Sequence, residues 1–468
     1  MTTHQVDVLI VGAGPAGIFT ALELERKKPG LKILIVDKGL EIDKRKCPEK
    51  TKGYCIKCPV CSITSGWSGA GAFSDGKLSL STNVGGRITE YLGEEVSQDL
   101  IDYADTIFLE FGASNIVYGL NSAKTDDIKY EASKYDLQLI DCPVRHLGTE
   151  KAFTVLKAMH DFLIAKDNVL FWSLTKAEEL IVENNEAIGA RLKRGNKEFI
   201  VKAKKIIVAP GRSGAEWLNE QSIKLNIQTE NNEVDVGVRV EVPNSIMDHL
   251  TKDLYEAKLV YYSDTYDNKV RTFCMNPGGV VSGESYEGIS VVNGHSYSDK
   301  KLRTENTNFA LLVSTKFTKP FNEPIEYGKY VARMGNMLTG GGIMVQRLGD
   351  LLKGRRTDYS RLAKSSTIPT LKSAVPGDLS YVLPARYLTS IVETLKALDK
   401  IAPGLYSRNT LLYGVEVKFY SSKVNLSSNF ETEIKNLYTI GDGAGVTRGL
   451  MQASVNGIAV ARDLARKL

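Results

Sequence analysis

The sequence predicts an α/β protein. A Rossmann-type nucleotide-binding domain is built from both ends of the chain, with an α+β domain on a mixed or antiparallel sheet between them. Three observations carry this. A glycine fingerprint, Gly12-Ala-Gly-Pro-Ala-Gly17, lies between an apolar run and a helical pattern. A second strand–glycine–helix pattern fills Lys435 to Leu468. Between them, from about Asp235 to Arg408, short runs of period two alternate with helical stretches.

The first element is Val6-Asp-Val-Leu-Ile-Val11, short and apolar as a buried parallel strand is. The fingerprint follows at once, and Ile18 to Lys28 reads as a helix that Pro29-Gly30 breaks. Leu31 to Val36 is a second apolar strand ending in Asp37. Gly12 permits the tight turn, Gly14 lets backbone approach a pyrophosphate, and Gly17 lets helix and strand pack closely. The helix N-terminus offers N–H groups to phosphate. Asp37 is placed to accept from a ribose hydroxyl pair, and an acid there argues against a 2′-phosphate.

A basic segment comes next. From Lys38 to Cys58 there are seven Lys or Arg against three acids, a local net charge of +4. It reads as a solvated loop or as a docking patch for an acidic partner. Within the loop 47–61 stand Cys47, Cys55, Cys58 and Cys61. The last three have the spacing of the first ligands of a ferredoxin loop. The next position in that pattern is Ser65, and Cys47 can supply a fourth thiolate from the other side. A [4Fe-4S] cluster, zinc, redox-active thiols and ordinary reduced cysteines all fit this spacing. The glycine-rich run Gly66 to Leu78 follows directly.

Alternating strands run from about Ala177 to Ala209, with turns near Asn184-Asn185 and Gly195-Asn196. They end in Ala209-Pro-Gly211. In the central stretch, Val236 to Val242 alternates as a half-exposed strand does. Lys258 to Tyr262, Val270 to Met275 and Gly288 to Val292 continue the sheet, and Glu326 to Met337 and Tyr387 to Ala402 look helical. Near the end, Lys435 to Ile440 reads as a strand leading into Gly441-Asp-Gly-Ala-Gly445, then a helix running to Leu468. The expected domains are therefore 1–234, 235–408 and 409–468, the first and last forming one nucleotide-binding unit.

Bulk properties exclude several classes. The 468 residues are 43% apolar and 25% charged, with a net charge of +5, too mild for a nucleic-acid binder. Six cysteines in a chain this long do not make a secreted disulfide framework. The first strand starts too early for a signal peptide, and no run of 18 apolar residues occurs, so a cytoplasmic protein with no membrane partner is expected.

Taken together, the Gly12–Gly17 fingerprint with Asp37, the Ala209-Pro-Gly211 turn and Gly441-Asp-Gly443 resemble the glutathione-reductase-type FAD-binding superfamily. Closer still is the resemblance to the FAD-dependent dehydrogenases of that superfamily. It is carried by Gly66 to Leu78, Val144-Arg-His-Leu-Gly148, Thr272-Phe-Cys-Met-Asn-Pro-Gly-Gly279, Val292-Asn-Gly-His-Ser296 and Gly441 to Ala453. The resemblance implies a discontinuous FAD domain of the GR2 type and a separate substrate domain. It implies FAD contacts from Gly12, Gly14, Pro15, Ala16, Gly17, Asp37 and Lys38. Gly69, Ala70, Gly71 and Phe73 would run beside the flavin, with Ala209 and Gly211 nearby. Gly441 and Asp442 would meet the ribityl region, and Gly449, Leu450, Met451 and Gln452 the pyrimidine side. The expected activity is an FAD-dependent oxidoreductase exchanging hydride with a small organic substrate. His295, Glu416 and Arg448 are the candidate catalytic groups, and Arg239 either binds a substrate carboxylate or pairs with an acid. No second fingerprint marks a pyridine-nucleotide domain, so NAD(P)H docking transiently or a ferredoxin-like acidic carrier would supply electrons. The other readings are a thiol–disulfide reductase using the Cys47–Cys61 cluster, a zinc-stabilised flavoprotein, and a non-catalytic flavin sensor.

Overall fold

The computed structural model describes the chain except residues 1, 49–55, 57, 121, 287, 298, 319, 322 and 419–422. Two compact units emerge. The first comprises Met1–Asn115, Thr149–Asn232 and Tyr420–Leu468, and the second Ile116–Gly148 and Glu233–Phe419.

The first unit holds a seven-stranded sheet. Val169–Trp172, Ile33–Val36, Thr2–Val11 and Lys197–Val208 lie parallel in that order, and Leu437–Thr439 adds a further parallel strand beside Lys197–Val208. The strands of this run are apolar where they meet: Leu9–Val11 pairs with Leu34–Val36 on one side and with Ile206–Val208 on the other. Such two-sided burial is what a parallel sheet requires. An antiparallel meander, Thr175–Glu183 and Glu186–Arg194, extends from Lys197–Val208. Asn184 and Asn185 both take positive φ in its first turn, 50° and 60°, as a two-residue hairpin demands.

Two helices dominate this unit. The fingerprint helix, Pro15–Lys27, starts three residues before its expected position because proline suits the first helical turn. The closing helix, Leu450–Lys467, lies against it at backbone distance: a Cβ on Gly457 would come 2.2 Å from the Ala16 carbonyl oxygen. Buried Glu23 of the fingerprint helix is held by Arg462 of the closing helix at 2.7 Å and by the Tyr103 hydroxyl at 2.8 Å.

The second unit is built on an eight-stranded sheet. Its order is Val375–Pro376, Met344–Arg347, Leu411–Lys418, Val234–Pro243, Asn306–Thr315, Lys269–Asn276, Leu259–Tyr262 and Gln138–Leu139. Only the first pair is parallel. Helices Pro324–Leu338 and Ala385–Ile401 supply apolar side chains such as Val331, Ile391 and Leu395 to its core. A hairpin, Val280–Tyr286 with Ile289–His295, stands apart from the main sheet.

Two expectations change here. Residues 116–148 fall in the second unit, because Gln138–Leu139 pairs with Leu259–Val260. Leu411–Lys418 also belongs there, since it pairs with Val234–Pro243 and Met344–Arg347. In addition, Val234–Pro243 is not half exposed: nine of its ten residues are buried. Strands cover both its edges, and its polar positions find partners inside the protein. Asp235 takes Arg271 and Ser314, Arg239 takes Glu416, and Glu241 takes Tyr413 and Thr370.

Candidate functional site

In the first unit the glycines of the fingerprint divide by what surrounds them. Gly12 has φ +108°, and a Cβ there would lie 2.0 Å from the Ala209 carbonyl oxygen. At Gly17 a Cβ would lie 2.1 Å from the Gly12 oxygen. Both glycines are thus required by packing. Gly14 differs: its backbone is extended, and nothing lies within 4 Å of where its Cβ would be. No side chain caps the helix that begins there. An uncapped helix start facing open space suits an anion.

Around this opening sit the other predicted segments. Gly69 opens a 3₁₀ turn, Gly69–Phe73, and its Cβ position is 3.3 Å from the Gly14 Cα. Ser68 donates its N–H to the Ala13 oxygen at 2.6 Å. Gly441, with φ +79°, has its Cβ position 3.3 Å from the Ala16 Cβ. Gly443 presses on Gly211, with a Cβ position 2.4 Å from that residue's oxygen. Gly211 and Gly449, like Gly14, have nothing within 4 Å.

Two acids face this region from opposite ends of the chain. Asp37 accepts N–H bonds from Ala13 at 3.0 Å on Oδ2, and from Gly39 and Gly66, each at 2.8 Å, on Oδ1. It therefore ties three loops together, and Oδ2 keeps one acceptor position for a hydroxyl donor. Lys38 donates to the Ser213 oxygen at 2.8 Å. Asp442 accepts from the Thr447 hydroxyl at 2.8 Å and the Gly449 N–H at 3.2 Å, with Arg212 at 3.6 Å. Burial raises its carboxyl above the ordinary value, although Arg212, Thr447, Gly449 and Arg448 pull the other way. The Gly441 N–H is held by Asn456 Oδ1 at 2.9 Å.

Arg45 departs from the docking-patch reading. It is buried, and its guanidinium donates to the carbonyls of Ser62, Ile63 and Trp67 while lying 4.8 Å over the Phe73 ring. Burial lowers its pKa to about 10. Arg45 thus staples the segment leading into Gly69–Phe73, leaving Lys44 and Lys46 exposed. Lys50, Lys52 and Lys57 lie outside the described residues.

Gln452 does not point into the opening. It is buried, its amide donates to the Ser81 oxygen at 3.1 Å, and a Cβ on Gly85 would collide with it. Met451 is also buried, and Leu450 sits against Gly71. Cys47, Cys58 and Cys61 are half-buried, and no disulfide involves a described cysteine. Among the described residues, no three His, Cys, Asp or Glu side chains gather as a metal site. Cys55 lies outside the described residues.

Of the proposed catalytic groups, Glu416 is fully committed within the second unit. It pairs with Arg239 through two bonds of 2.9 Å and with Lys418 at 2.9 Å, and both Glu416 and Arg239 are 0% exposed. Burial opposes the charge on Glu416, but Arg239 and Lys418 outweigh it and hold the carboxyl below its usual value. Glu416 is an anchor here, which corrects its assignment as a catalytic group. Arg239 takes an acid of this chain instead of a substrate carboxylate. His295 is half-buried at the end of the hairpin, and Arg448 is half-buried in the first unit, its N–H donating to the Gly85 oxygen at 2.6 Å.

The sequence reading missed two buried clusters in the second unit. Around Arg239 gather Cys274, Asn276, Asn293 and Asn308. Elsewhere His146 Nε2 lies 2.9 Å from the Tyr255 hydroxyl and 3.1 Å from Ser296 Oγ, with the His146 and Tyr255 rings stacked at 4.3 Å. The available signal was that three quoted segments, 144–148, 272–279 and 292–296, supply most of these residues, whereas nothing in the sequence marked Tyr255.

Residues 233–419 match the family model described as FAD-dependent protein, C-terminal domain-like. The chain is 27% identical over 481 residues to an uncharacterized protein of Clostridium beijerinckii, covering 98% of this chain and 80% of that one. Among solved structures, L-proline dehydrogenase from P. horikoshii aligns with 11% identity and a TM-score of 0.44, covering 99% of this chain and 94% of that one. A 3-ketosteroid-delta4-(5alpha)-dehydrogenase from Rhodococcus jostii, in complex with 4-androstene-3,17-dione, aligns with 13% identity and a TM-score of 0.44, covering 99% and 97%.

Proposed function

We propose that this protein is an FAD-dependent oxidoreductase acting on a small organic substrate. The observation that carries the reading is the open, uncapped start of the fingerprint helix at Gly14, flanked by Gly69, Gly441 and Asp442. The match of residues 233–419 to an FAD-dependent family model supports it from the other unit.

The residues fit the cofactor. The first-turn N–H groups after Pro15 face the space a pyrophosphate would fill. Oδ2 of Asp37 accepts from one ribose hydroxyl. Asp442, already held by Thr447 and Gly449, accepts from a ribityl hydroxyl. Gly449, with φ +131° and no neighbour within 4 Å, lets backbone approach the ring from the closing helix. The N-terminus of that helix favours negative charge nearby. When bound, the flavin supplies hydride exchange at its N5. Electrons come from NAD(P)H docking transiently or from an acidic carrier.

The test is direct. Purified protein is denatured and the released cofactor identified by chromatography and absorbance. One FAD per chain, either co-purified or taken up on reconstitution, is the expected result. Protein that holds no flavin and takes none up would overturn the proposal.

A further inference from the structure

The positive charge of the chain is unevenly placed. Residues 347–364 together with Arg408 hold seven Lys or Arg against two acids, a net of +5. The whole chain has the same net charge, so the remainder is neutral overall. These residues form one piece of the second unit. Gly349 donates its N–H to the Arg408 oxygen at 3.2 Å, and a Cβ on Gly349 would lie 2.5 Å from the Arg408 Cβ. Ser365 Oγ donates to the Asn409 oxygen at 3.3 Å. Within the segment, Arg347 Nη1 donates to the Arg361 oxygen at 2.9 Å, and Arg361 Nη1 donates to the Arg356 oxygen at 3.0 Å.

Both acids are spent inside this piece. Asp350 is 0% exposed and accepts from Arg347 Nε at 3.0 Å and from Arg355 Nε and the Thr357 hydroxyl, each at 2.9 Å. Asp358 accepts from the Arg361 side chain at 2.9 Å and from its N–H at 2.8 Å. Three arginines thus fix the shape of the loop. The other four cations, Lys353, Arg356, Lys364 and Arg408, are exposed and pair with no acid among the described residues. Leu352 and Tyr359 stand among them, 45% and 71% exposed. Arginine and tyrosine at the surface of an ordered loop are what the centre of a protein interface is rich in.

We propose that this piece is the docking surface for a small acidic electron-carrier protein. Its carboxylates meet Lys353, Arg356, Lys364 and Arg408, and its apolar centre covers Leu352 and Tyr359. The inference rests on the oxidoreductase reading and chooses the carrier over NAD(P)H as the electron source. Charge complementarity calls for an acidic occupant. Arg356 and Arg408 suit carboxylates, which an arginine fork grips through two parallel bonds. A bilayer fits less well: helix Tyr359–Leu362 is a single turn and offers no apolar face to lie in the interface. The other basic segment, Lys38 to Cys58, loses Arg45 to burial.

The test is binding of the full-length protein to a purified bacterial ferredoxin, read by titration calorimetry. Vesicles of phosphatidylcholine and phosphatidylglycerol in equal parts serve as the competing partner, read by sedimentation. Ferredoxin is expected to bind with a micromolar Kd at about 20 mM salt and at least about tenfold more weakly at about 200 mM. Arg356→Glu combined with Lys364→Glu is expected to weaken binding at least about tenfold. Lys44→Glu combined with Lys46→Glu is expected to leave it unchanged. All four positions are exposed, and circular dichroism checks each fold. No binding of ferredoxin, parental binding by the first pair, or equal loss from both pairs overturns the docking surface. Sedimentation with the vesicles in place of ferredoxin binding overturns it too. The FAD content of the same preparations separates the two claims. Protein that holds FAD but fails these tests loses the docking surface alone, whereas protein that takes up no FAD overturns the reading beneath it.

Discussion

Replacing Gly14 with valine separates cofactor binding from folding. The Gly14 backbone, φ −76° and ψ 179°, is extended and suits valine, and nothing lies within 4 Å of the new Cβ. The folding cost is that of a poorer N-cap, less than about 1 kcal/mol. The valine methyls instead fill the space in front of the helix start. Losing the phosphate contact with the helix terminus costs up to about 2 kcal/mol. Losing one charge-assisted hydrogen bond costs about 1.5–3 kcal/mol more. A total of about 4 kcal/mol is a roughly thousandfold weaker Kd. The assay is fluorescence titration of flavin-free protein with FAD, beside thermal unfolding of both flavin-free forms. Gly14→Val is expected to bind FAD at least about a hundredfold more weakly, with a melting temperature within a few degrees of the parent. A variant that keeps parental affinity would refute the argument that Gly14 clears the pyrophosphate path.

Gly12→Ala should behave in the opposite sense. Its φ of +108° and a Cβ 2.0 Å from the Ala209 oxygen strain the sheet itself, so loss of soluble protein or a clear drop in thermal stability is expected, even without FAD. Glu416→Gln leaves the buried Arg239 charge uncompensated and is expected to cost about 3–5 kcal/mol by urea unfolding. Because the Glu416 carboxyl sits below its usual 4.5 in the folded protein, its contribution is fully present above pH 4.5 and is lost as pH falls through the lower folded value. Parent and variant stabilities should therefore converge in acid, and curves that stay parallel would contradict the ion pair. Arg45→Lys cannot reach the Ser62, Ile63 and Trp67 carbonyls together, and faster proteolytic cleavage between residues 58 and 68 is expected in limited digestion.

Much of the first unit was legible because local chemistry and tertiary structure agree there. The Gly12–Gly17 turn, the Asn184-Asn185 hairpin and the final strand and helix each need particular residues at particular backbone angles. What escaped was burial of charge. Alternating polar residues in Val234–Pro243 look like a solvent face, yet Asp235, Arg239 and Glu241 are all 0% exposed. Their partners, Arg271, Glu416 and Tyr413, are distant in sequence, so no local pattern reveals them. Arg45 was hidden for a similar reason: in a basic run one arginine looks like the rest, and only the carbonyls it meets set it apart. Gln138–Leu139, two residues long, carries too little periodicity to announce that 116–148 joins the second unit.

Hydrogen exchange with and without FAD tests the central claim most directly. Binding at the proposed cradle is expected to slow exchange in three separated stretches at once: residues 13–18, 66–73 and 441–450. Protection confined to other segments, or no change at saturating FAD, would contradict the account.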